Sequence, residues 1–133
     1  EADLPQRFRI SILLGNAYMR IPDRVQVAST IFDRALSLAK EFNGDPADRQ
    51  KLLAEAYKEL GFYNRNRGYR DKADAAYRQA RVAISEALSL RGLDEDRAEL
   101  ASIQTNWAYV KGLGGFFQDG VNSFISDRCD SSG

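Results

Sequence analysis

Histidine is absent from the 133 residues, and cysteine occurs once, as Cys129. Without histidine the chain lacks the commonest general base, the usual serine and cysteine triads and most zinc sites, so an enzyme is not expected. A single cysteine leaves no intrachain disulfide, which fits a reducing compartment and makes the cytoplasm the expected location. No apolar run reaches the roughly 20 residues that span a bilayer, and no Asn-x-Ser/Thr acceptor occurs. Charge of one sign is lacking too. Lysine and arginine number 19, as do aspartate and glutamate, so only a local patch could attract a charged partner. No metal and no cofactor is expected. Prolines are only three, and each fits a helix boundary: Pro5 before the first apolar face, Pro22 in a turn and Pro46 in the first turn of a helix.

What is present is apolar spacing of three and four, with no alternating β-branched run, and the expected fold is all helix. A first helix is expected over about Pro5 to Arg20, with a stripe of Phe8, Ile12, Leu13 and Tyr18 that needs covering, and a second over about Arg24 to Phe42. Asn43-Gly44 reads as its left-handed cap, and Asp45-Pro46 as the opening of a third helix that ends near Asn66. A fourth runs from about Tyr69 to Arg91 and stops at Gly92. Asp94-Glu95-Asp96 then caps a fifth helix reaching about Lys111. Gly112, Gly114 and Gly115 read as a turn, before a sixth helix over roughly Phe116 to Arg128. That glycine cluster lacks the Gly-Lys-Ser/Thr ending and preceding strand of a phosphate loop.

The helices repeat. Leu14-Gly15, Leu60-Gly61 and Trp107-Ala108 each set a bulky apolar residue before a small one, at intervals of 46 and then 47 residues. Each is followed by a helix with a small residue and an aromatic four later: Ala28 and Phe32, Ala73 and Tyr77, Gly120 and Phe124. Ala35 and Ala80 continue the first two units. The small residues should let two antiparallel helices approach closely, with the aromatic filling the gap beside them.

On these residues the chain resembles the tetratricopeptide repeat family over about residues 7 to 128, most closely at Tyr57, Leu60, Gly61, Gly68, Ala73, Tyr77 and Ala80. The period exceeds the family's usual value of about 34 residues, as in its extended versions of 40 or more. The third unit departs further, with Gln104 and Asp127 in place of an aromatic and an alanine. The resemblance implies one all-α domain: a right-handed superhelix, or α-solenoid, of three antiparallel helix pairs, with units of about 7–42, 46–91 and 94–128. A start at Glu1 and a polar tail lead to the expectation of a piece of a larger protein, plausibly a regulator.

The resemblance also implies a concave face built from the first helix of each pair. Projected here, it selects Arg9, Ile12, Asn16, Met19 and Arg20, then Glu55, Lys58, Phe62, Arg65 and Asn66, and finally Ser102, Thr105 and Tyr109. The lysine and asparagine clamp of the family's chaperone-tail binders is not expected, because Ile12 and Glu59 stand at two of its places. A protein partner, in the form of an acidic peptide or an amphipathic helix, suits the mixture of apolar and basic residues better. The alternative is self-association into a homo-oligomer through an open carboxyl-terminal helix pair. Arg65, Arg67 and Arg70 form a possible anion patch, with nucleic acid the least favoured ligand for it.

Overall fold

Side-chain caps start two of the helices. Asp3 accepts from the Gln6 backbone and Gln6 reaches back to the Asp3 N–H, a reciprocal box that opens α1 (Leu4–Met19) with Pro5 in its first turn. Asp45 accepts from the Asp48 N–H and opens α3 (Pro46–Asn66), with Pro46 as its first residue. Pro22 opens a short 3-10 turn, Pro22–Arg24, that leads into α2 (Val25–Glu41). The remaining helices are α4 (Arg70–Arg91) and α5 (Asp94–Gly115). The computed structural model describes residues 3–115, and no strand occurs among them. The expected sixth helix, with Gly120, Phe124 and Cys129, lies outside the described residues.

Two local expectations are corrected. Gly92 ends α4 in the left-handed region at φ 62°, but Gly44 has no positive φ and does not cap α2. There Phe42 leaves the helix in an extended conformation and its ring folds over Gly44, where a Cβ would lie 2.5 Å from Phe42 Cζ. Gly112, Gly114 and Gly115 make no turn, since α5 continues through them. The expected acidic opening of α5 is present, with Asp94, Glu95 and Asp96 in its first turn, and Asp96 has a further part. It is 0% exposed and takes two hydrogen bonds from Arg91, at 2.8 and 3.2 Å.

Each helix packs chiefly on its neighbours in the chain, and α3 additionally touches α1 and α5. The close approaches fall where small residues permit them. A Cβ added to Gly15 would run into the Phe32 ring, and one added to Gly61 would lie 2.8 Å from the Tyr77 ring. Phe32 and Tyr77 are each fully buried, as are Ala28, Ala35, Ala73 and Ala80 around them. The α1–α2 and α3–α4 crossings therefore use the same device 46 residues apart. Burying one such ring contributes about 1.5–3 kcal/mol over leaving it in water, and a glycine opposite is what lets the ring fit.

Two apolar clusters result, and α3 serves both. Phe8, Ile12, Phe32, Leu38 and Tyr63 centre the first, while Tyr77, Ile84, Ile103, Trp107 and Val110 centre the second. Tyr63 and Ala56 of α3 face the first, and Ala54 faces the second. The first-helix stripe is only partly covered: Phe8 and Ile12 are buried, but Leu13 is 61% exposed.

Candidate site on the α1–α3–α5 face

Alternate helices of the chain share one face, and polar pairs stitch it. Arg9 of α1 lies 3.6 Å from Glu55 of α3, and Lys58 of α3 lies 2.9 Å from Glu99 of α5. The Lys58–Glu99 approach is too oblique for a hydrogen bond, so the pairing is Coulombic. Arg65 of α3 sets its guanidinium 4.9 Å from the Phe62 ring centre and 4.6 Å from that of Tyr109 on α5.

Between these contacts is a hollow of about 180 Å³ lined by Asn16, Lys58, Glu59, Phe62, Tyr77 and Asn106. Helix periodicity explains the convergence: Glu55, Glu59 and Phe62 follow one another at four and three on α3, as do Glu99, Asn106 and Tyr109 at seven and three on α5. Tyr77 reaches the hollow from α4, because Gly61 leaves room for its ring. A larger hollow of about 330 Å³ on α2, bordered by Arg7 of α1, is lined mainly by exposed side chains and holds no buried unpartnered polar atom.

Burial raises the Glu59 carboxyl above its ordinary value, opposed first by Lys58, while Glu55 and Glu99 push it further up and the Asn16 amide weakly down. Glu55 is raised by the same desolvation, with Arg9 as its main opponent. Desolvation pushes the Tyr77 hydroxyl up to about 12, and it has no hydrogen-bond partner. Arg65 lowers it and Glu59 raises it. Asn106 donates its amide nitrogen to the Ser102 carbonyl at 2.8 Å, which leaves its side-chain oxygen able to accept.

Of the residues projected from sequence, Asn16, Lys58 and Phe62 line this hollow, and Arg9, Glu55, Arg65 and Tyr109 adjoin it through the contacts above. Ile12 is corrected: it is 5% exposed and belongs to the first apolar cluster. Met19 packs partly against that cluster, Arg20 lies exposed just past α1, and Asn66 is exposed at the end of α3. The arginine patch is divided. Arg65 turns onto the rings, while Arg67 and Arg70 stand exposed at the α3–α4 turn, with no ion pair among the described residues. Sequence reasoning missed Asn106 and the placement of Glu59 and Tyr77 in the lining of one hollow. Glu59 stood out only as a departure from a clamp, and its four-residue step from Glu55 was the usable signal.

No protein-family model matches the chain, and neither curated proteins nor solved structures provide a match. No helix among the described residues is long and apolar enough to cross a membrane.

Proposed function

We propose that the chain is a protein-interaction module without catalytic function, receiving a peptide or helical segment of a partner on the α1–α3–α5 face. The reading carries with it the extended tetratricopeptide-like superhelix of three helix pairs, and the paired Gly15–Phe32 and Gly61–Tyr77 crossings support it. One observation carries the functional part: side chains from α1, α3, α4 and α5 converge on a single hollow bordered by partly exposed aromatic rings. Its 180 Å³ is small beside the roughly 300–1,000 Å³ of small-molecule sites. One side chain of a larger partner fits that size, with Phe62 and Tyr109 offering anchoring area beside it.

The test is retention of partner proteins from a lysate of the source organism by the wild-type chain, Phe62→Ala and Tyr109→Ala. Folded variants that lose the same partner support the proposal. Folded variants that keep every partner contradict it and move attention to the outer surfaces of α2 and α4.

A further inference from the structure

Charge on the groove floor is unevenly compensated. Glu55 has Arg9 and Glu99 has Lys58, but Glu59 enters no ion pair among the described residues. Lys51 pairs with Glu95, and Arg65 is committed to the Phe62 and Tyr109 rings and does not line the hollow. The lining also holds Asn106, whose side-chain oxygen is left able to accept, and Tyr77, whose buried hydroxyl has no partner. Glu59 and the Asn106 side-chain oxygen accept hydrogen bonds, the Tyr77 hydroxyl can accept or donate, and Asn16 and Lys58 of the same lining supply donors. A buried group without a partner is costly, so the Tyr77 hydroxyl gains from a polar group that enters the hollow.

We infer that the hollow is a subsite for an arginine side chain of the partner segment, its guanidinium bridging the Glu59 carboxylate and the Tyr77 hydroxyl. The occupant follows from the chemistry: a guanidinium is a planar fork of five donors with no acceptor, and it remains charged when buried. It meets several acceptors at once, whereas an ammonium is a compact, more strongly hydrated charge. A carboxylate guest would face Glu59 directly. Lys58 and Arg65, the cations behind the expectation of an acidic partner, are already engaged, and the proposal therefore takes a basic residue at this hollow.

This inference rests on the proposed binding face, and one experiment separates the two. Random linear peptides are selected by display against the whole chain and re-measured against Phe62→Ala, Glu59→Gln and Glu59→Lys, with folding checked by circular dichroism. In each peptide every arginine is replaced in turn by citrulline, which keeps the shape and removes the charge. The expected result is one arginine whose replacement weakens binding by about tenfold or more. Glu59→Gln should bring a similar loss, with little added when both changes are combined. Glu59→Lys should abolish binding. Peptides lost on Phe62→Ala but bound equally by Glu59→Gln, or equally well with lysine in place of the arginine, overturn the arginine subsite and leave the binding face standing. Selection that enriches nothing, or only peptides indifferent to Phe62→Ala, contradicts both.

Discussion

Gly61 and Tyr77 show how much one missing methyl group decides. The Tyr77 ring is buried because Gly61 has no Cβ, and Gly61→Ala would place a methyl 2.8 Å from ring carbons that cannot retreat. Overpacking of this kind costs about 1–3 kcal/mol. Ala73→Leu, in the same fully buried cluster, should cost a similar amount, and thermal melting of either variant measures it. A melt unchanged from wild type would contradict the close crossing. Tyr77→Phe tests the hydroxyl alone. Removing a buried group that lacks a partner relieves part of the roughly 1–3 kcal/mol attached to it, so the variant should melt no lower than wild type while binding the basic segment less tightly. A destabilised Tyr77→Phe would show that the hydroxyl is satisfied in solution.

Between elements, polar contacts hold what the apolar crossings begin. Arg91, at the end of α4, bonds both the buried Asp96 at the start of α5 and Asp48 at the start of α3. Its guanidinium is thereby held even further into the charged range than usual. Asp96→Ala leaves a 20%-exposed arginine short of its best partner and should cost about 3 kcal/mol, the lower end for breaking a buried pair. Urea unfolding checks this, and a loss below a few tenths would place the network at the surface. Trp107 ties α5 to α4 in the same manner. Its indole N–H donates to Asp74 at 2.6 Å, with Arg81 and Lys111 close to its ring.

Much of this element scheme was legible in the sequence, because helix starts are local. Asp45-Pro46 and Gly92 carry their own backbone instructions, and the glycine–aromatic spacing carried the crossings. What was not legible depended on neighbours far along the chain. Asp96 reads only as a capping residue until Arg91 is found beside it, and Ile12 reads as a face residue until α2 covers it. Asn106 acquires its role only when α5 lies beside α3.

For the whole molecule, the face proposed to bind is also the one whose buried carboxyls oppose folding at neutral pH. The Glu55 and Glu59 carboxyls are raised in the folded state, so the folded chain holds more protons than the unfolded one. Stability must then fall as pH rises from the ordinary glutamate value of about 4.3 towards neutrality. Around Glu59 the facing groups are Lys58, Glu55, Glu99 and the Asn16 amide, and burial outweighs the lysine. Asp74 acts in the opposite sense. Held below its ordinary value by Trp107, it contributes stability that is lost only as pH falls through its folded value. Glu59→Gln should therefore raise the melting temperature at pH 7 and flatten its decline between mildly acid and neutral pH. An unchanged slope would place Glu59 in open water.

The binding face itself is tested most directly by site-specific photocrosslinking. A photoreactive phenylalanine analogue is placed at Tyr109, 56% exposed beside Arg65, or at Val82, 57% exposed on α4, so that accessibility is matched and only the face differs. The account predicts that a partner segment crosslinks from position 109 and not from position 82, and that Phe62→Ala abolishes the adduct. Crosslinking from position 82 alone, or an adduct at 109 that survives Phe62→Ala, would contradict it.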